Sequence, residues 1–137
     1  MIWTGESRTV ATVAEVDIAL DGIAAQAADA VRSFVVTVLP AGSEHLSSFD
    51  EDFPDCLEVG LGHPDRAFVR WMGDGGGYGY KPYREPGPTE LRFDYGGHPV
   101  YPEPNELRVS PIHARRAGTE FIATCKRPTH LHWQPAE

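Results

Sequence analysis

No long apolar run occurs in this chain. Nothing among its 137 residues approaches the ~20 consecutive apolar residues that a membrane-spanning helix needs. Basic side chains are scarce as well: 12 Lys and Arg stand against 20 Asp and Glu, a formal net charge of −8. Non-specific binding to nucleic acid or to an anionic membrane draws on a basic surface, so neither partner is expected. Cysteine is limited to Cys56 and Cys125, far apart and without a CxxC. They read as free thiols in a reducing compartment rather than as a disulfide framework. The opening Met1-Ile-Trp-Thr-Gly-Glu-Ser-Arg8 lacks a basic segment followed by an apolar one, so no secretory signal is visible and a cytoplasmic location is expected.

What is present suits one globular domain spanning residues 1–137, with no repeat and no linker to divide it. Thr9 to Val13 is a β-branched run expected as a first strand, and Thr12 with Glu15 matches a capping box. Val16, Leu20, Ile23, Ala27 and Val31 then recur at spacings of three and four, which predicts a helix from about Ala14 to Ala30. Ser33 to Leu39 is the strongest strand, apolar enough to be central in its sheet. Cys56 to Leu61 and Arg66 to Met72 read as a hairpin turning at residues 62–65, with Ala67, Val69 and Trp71 alternating against Arg66, Phe68 and Arg70. Residues 73–79 read as a flexible Gly-rich loop and 81–88 as turn material. Thr89 to Tyr95 alternates as a strand, and His98 to Tyr101 as an edge strand whose proline bars it from the sheet centre. Ser110-Pro111 starts a second helix reaching about Cys125, and Thr129 to Trp133 is expected as a closing strand. The fold class is therefore α+β: a single, mostly antiparallel sheet with two main helices packed on one face.

Few residues suggest chemistry. The Gly73 to Gly79 stretch lacks GK[ST] and leads into Lys81-Pro82-Tyr83 rather than a helix, so it is no phosphate loop. Ser47, Ser48 and Ser110 lack a nucleophile-elbow context, Cys56 and Cys125 lack a local signature, and the carboxylates lie mostly in a polar run. No enzyme, cofactor or metal is expected on these grounds. The runner-up is a ligand- or metal-binding, enzyme-like domain that uses His130 and His132. Two apart on a predicted strand, they share a face, and a third ligand would have to come from His98 or His113. A third possibility is self-association through the proline-interrupted edge strand.

Two features point instead to a protein partner. Between Glu44 and Asp74 the chain carries eight acids against Arg66 and Arg70, either a solvated loop or a patch aimed at a basic surface. Tyr78, Tyr80 and Tyr83 cluster at the Gly-rich stretch beside Lys81 and Arg84, either as binding anchors or as pins holding a loop onto the sheet.

The second half carries Phe93-Asp-Tyr-Gly-Gly97, Ser110-Pro-Ile-His-Ala-Arg-Arg-Ala117, Glu120-Phe121 and Arg127-Pro-Thr-His-Leu-His-Trp133 in that order. In these it resembles the first-numbered Imm family of immunity proteins from bacterial polymorphic toxin systems. The chain departs from the pattern at Thr124-Cys-Lys126, where a glycine-containing helix terminus is the family's habit, and in a longer Pro102 to Glu106 connection. The resemblance implies a non-catalytic antidote that binds a cognate toxin, often one directed at nucleic acid such as a deaminase, with Phe121 and Trp133 structural. The residue reading adds a mechanism: Asp50, Glu51, Asp52 and Asp55 steer the encounter, and Tyr78, Tyr80 and Tyr83 anchor the complex.

Overall fold

The computed structural model describes residues 2–3, 6–7, 13–30, 33–39, 55–73, 76–95 and 98–134. In chain order the elements are β1 (Ile2–Trp3), β2 (Glu6–Ser7), α1 (Val13–Ala30), β3 (Phe34–Val38), β4 (Leu57–Leu61), β5 (Phe68–Trp71), β6 (Tyr78–Tyr80), β7 (Phe93–Tyr95), β8 (His98–Val100), a 3-10 turn (Pro104–Leu107), α2 (Pro111–Thr124) and β9 (His132–Gln134). The strand order is β2-β1-β3-β4-β5-β6-β9. β3 is central because both its edges are used. β4 pairs along its whole length on one side, while β1 and β7 share the other, at Thr37 and Phe34 respectively. The β3–β7 pairing is parallel and the other ladders are antiparallel. Strand β8 pairs with β7, where Pro99 is tolerable.

Strand alternation divides the sheet into two faces. Phe34, Val36 and Val38 of β3, Leu57, Val59 and Leu61 of β4, and Val69 and Trp71 of β5 pack beneath both helices. They meet Val16, Ala19, Leu20 and Ile23 of α1 and Ala114, Ala117 and Phe121 of α2 in one core. The other face carries a smaller cluster of Val35, Phe68, Phe93 and Leu107. The fold is thus α+β, with both helices on one face of a mostly antiparallel sheet.

Helix α2 begins as its sequence requires. Ser110 has extended backbone and its hydroxyl accepts from the His113 N–H at 3.4 Å, while Pro111 takes the first turn, where its missing N–H is harmless. At the other end Cys125 adopts left-handed backbone, φ 56°, and its N–H donates to the Phe121 carbonyl. Cys125 therefore occupies a left-handed helix end of the kind that most often falls to glycine. The longer Pro102 to Glu106 connection supplies the 3-10 turn that buries Leu107.

Several expected elements differ. Val13 opens α1 instead of ending a strand, and Thr9 to Thr12 lie outside the described residues. Tyr78 and Gly79, expected in the flexible loop, instead join Tyr80 in strand β6, because β5 and β9 supply ladder partners on either side. The strand expected over Thr89 to Tyr95 is confined to Phe93–Tyr95. Glu90 sits at φ 62° in a turn, which breaks the extended run. The closing strand begins at His132 rather than Thr129, since Glu120 on α2 takes both the N–H and the hydroxyl of Thr129 and bends the chain away from the ladder.

Candidate functional site

The face away from the helices is crossed by a row of polar side chains set by register. Thr37, Glu58, Arg70, Tyr78 and Gln134 are successive cross-strand partners on β3, β4, β5, β6 and β9. A second row, Val35, Gly60 and Phe68, runs beside it. Over these rows opens a groove of about 300 Å³, lined by Val35, Glu58, Phe68, Arg70, Met72, Tyr78, Tyr95, Val100 and Pro102.

Glu58 is the anomaly of this groove. It stands in the middle of an otherwise apolar strand, and its side chain is 7% exposed. Its carboxylate meets Arg70 Nη1 at 3.4 Å and bonds the Tyr95 hydroxyl. Burial nevertheless pushes the carboxyl above its usual range, outweighing the opposing pull of Arg70. Tyr95, which also bonds Thr37, is raised in turn by burial and by the Glu58 charge. Tyr78 is raised by burial first and then by Glu106, to which it bonds. The groove therefore has a buried acid at its floor, one arginine at its mouth and aromatic rings on its walls.

The tyrosines named from the sequence separate. Tyr78 lines the groove, its ring edge-on to Phe68 at 6.4 Å and its face 6.0 Å from the Arg70 guanidinium. Tyr80 is flanked by Arg108 at 4.7 Å and His132 at 5.7 Å, which leaves it half-buried. Tyr83 is 74% exposed on the turn after β6, apart from the groove lining. Their basic neighbours are structural: Lys81 donates to the His130 carbonyl, and Arg84 grips the Asp65 carboxylate at 3.0 Å and the Asp65 carbonyl at 2.6 Å. Of the acids, Asp50, Glu51 and Asp52 lie outside the described residues. Asp55 is exposed directly before β4, where the Met72 N–H donates to the Cys56 carbonyl. Asp55 thus lies close in sequence to the backbone bond that ties Cys56 to the groove-lining Met72.

Phe121 is fully buried and meets Trp71 edge-on at 5.8 Å. Trp133 packs against the same core, its indole N–H donating to the Pro128 carbonyl at 3.0 Å. The proposed histidine face does not form. His132 faces Tyr80 on β9, whereas the His130 side chain is 7% exposed beneath α2, 6.3 Å from the His113 ring and with Nε2 at 3.2 Å from the His113 carbonyl. The bend held by Glu120 is the cause. Among the described residues no three His, Cys, Asp or Glu are grouped to hold a metal. Burial pushes the Cys56 thiol up to about 11, so it stays protonated and unreactive at neutral pH.

Sequence reasoning missed Glu58, Arg70, Met72 and Tyr95 as a group. The available signal was the lone acid in Cys56-Leu-Glu-Val-Gly-Leu61, a charged residue that an apolar strand does not need.

A sheet with one face closed by helices and the other presenting a groove walled by tyrosine, methionine and arginine has the composition of a protein-binding surface. Residues 4–135 match the family described as Immunity protein Imm1, and the chain belongs to that family. No curated protein matches it. No helix among the described residues is long and apolar enough to cross a membrane.

Proposed function

We propose that this chain binds a cognate bacterial toxin in the cytoplasm and neutralises it by covering the toxin's active site, with no catalysis of its own. The observation that carries the reading is membership of the immunity-protein family across nearly the whole chain. The charge balance of −8 supports a finer version, in which the toxin acts on nucleic acid and so carries a basic substrate cleft. Asp50, Glu51, Asp52 and Asp55 then draw the partners together, and Tyr78, with Tyr80 and Tyr83 beside it, contributes contact area. Asp55, the described member of the four, lies directly before β4, whose neighbour Cys56 bonds the groove-lining Met72, and this supports the reading. A complex of this kind buries on the order of 1,600 Å² in total.

The test is co-expression with the toxin domain encoded beside this gene, followed by association kinetics across a salt series. Wild type should protect cells, and D50N/E51Q/D52N/D55N should bind about ten-fold more slowly at low salt with a flatter salt dependence. An unchanged rate removes the four acids from the mechanism. Failure of wild type to bind or protect against that toxin overturns the pairing.

A further inference from the structure

Charge within the open-face groove is unevenly compensated. An ionised carboxylate offers about four lone-pair sites. Glu58 has Arg70 and the Tyr95 hydroxyl as partners. The Arg70 contact, at 3.4 Å, is longer than the ~2.7–2.9 Å of a strong charge-assisted bond, and the Arg70 side chain is 44% exposed, so it stands at the groove mouth rather than over the acid. Around the mouth lie apolar and aromatic groups that a lone domain gains nothing by displaying. Met72 is 41% exposed and Tyr95 44%, and Tyr101, between the lining residues Val100 and Pro102, is 55% exposed. The volume of about 300 Å³ is at the lower end for a ligand pocket, enough for one long side chain and too small for a strand or helix.

We propose, resting on the immunity reading, that this groove receives one cationic side chain of the toxin, an arginine or lysine whose charged head reaches the Glu58 carboxylate and whose stem lies against Tyr78, Tyr95 and Met72. Charge decides among the possible occupants. An apolar anchor would cover Glu58 and leave it buried with one long ion pair, the costly arrangement for a charge removed from water. An acidic group would have to draw Arg70 off Glu58 while facing Glu58 itself, and Glu106 beyond Tyr78. A cation adds a closer partner for the Glu58 carboxylate than Arg70 at 3.4 Å, meets the half-exposed Tyr95 ring, and matches a partner drawn in by a chain of net charge −8.

The full chain, labelled at methionine methyls and tyrosine rings, would be titrated by NMR at neutral pH with the N-acetyl methylamides of arginine, lysine, leucine and glutamate. Saturable shifts at Met72, Tyr78 and Tyr95 with arginine or lysine, and none with leucine or glutamate, are expected. Glu58→Gln keeps the side-chain size and should weaken arginine or lysine binding about ten-fold, or ~1.4 kcal/mol. Met72→Ala, a rim change that leaves the charge in place, should weaken it several-fold. Equal or tighter binding of the leucine or glutamate probe, or no saturable shift with either cation, would overturn the assignment. Protection of cells is scored separately. If Glu58→Gln protects as well as wild type, the groove is not the toxin's contact and the immunity reading stands. If wild type itself fails to protect, the immunity reading falls, and the cation's place in a toxin complex falls with it.

Discussion

Among the described glycines, Gly60 is the one where an added methyl group would meet the closest contacts. It faces Phe68 across β4 and β5, on the open face of the sheet. A Cβ there would lie 2.4 Å from both Cδ1 and Cε1 of Phe68 and 2.9 Å from Cε1 of Phe93. Neither ring has an easy retreat: Phe68 is 3% exposed and Phe93 fully buried, and they already meet edge-on at 4.9 Å. Overpacking of this kind costs about 1–3 kcal/mol. With roughly 2.1 cal/mol/K of unfolding entropy per residue, 137 residues give about 0.29 kcal/mol/K, so Gly60→Ala should lower Tm by about 3–10 °C. Thermal melts by circular dichroism would measure this, with urea titration to show an unchanged m-value. The clash requires the Phe68 ring. In a Phe68→Ala background, where Phe93 has room to shift, Gly60→Ala should therefore cost well under ~1 kcal/mol. An equal loss in both backgrounds, or no loss in the wild type, would refute the packing account.

Two further changes test the helix end and the histidine pair. Cys125→Gly should raise stability by about 0.5–1 kcal/mol, because glycine adopts the left-handed cap without the side-chain penalty, whereas Cys125→Ala should be neutral; both are read by thermal melts. Burial holds His113 and His130 below the ordinary imidazole value of 6.5. The unfolded chain therefore takes up protons first, and stability should be full above pH 6.5 and fall as pH drops through that value towards the folded ones. Urea unfolding at a series of pH values should show this slope in wild type and a shallower one in His130→Gln, and a wild-type slope of opposite sign would contradict the burial argument.

Local signals were the legible ones. The three-four stripe of α1 and the Ser110-Pro111 start of α2 depend on residues within one turn, and the helices fall within a residue of where these signals put them. The β-branched run of β3 likewise identified the central strand. What failed was decided by distant partners. Tyr78–Tyr80 looks like loop because glycines surround it, and it becomes a strand because β5 and β9 lie on either side. Glu120 moves the start of β9 from Thr129 to His132, a bond that joins residues nine apart. Period-2 alternation over Thr89 to Tyr95 was real, yet the left-handed Glu90 keeps its first half out of the ladder. The groove was the least visible feature, since Thr37, Glu58, Arg70 and Tyr78 come together through the registers of four strands.

The two faces of the sheet answer to different demands. On the helix side β3, β4 and β5 contribute apolar side chains to one continuous core, and propensity, pattern and packing agree. On the open side they conflict. A valine or threonine at position 58 would suit β4 better than an acid whose burial disfavours its charged form, and Arg70 offsets that penalty incompletely. Because the folded-state carboxyl is raised above its ordinary 4.5, its contribution favours the fold below that pH and is lost as pH rises through the folded value, so ionising Glu58 costs stability relative to its protonated form. A destabilising charge at the floor of a groove rimmed by exposed Met72 and Tyr95 is poorly explained by folding, and is accounted for if the missing compensation arrives with a partner.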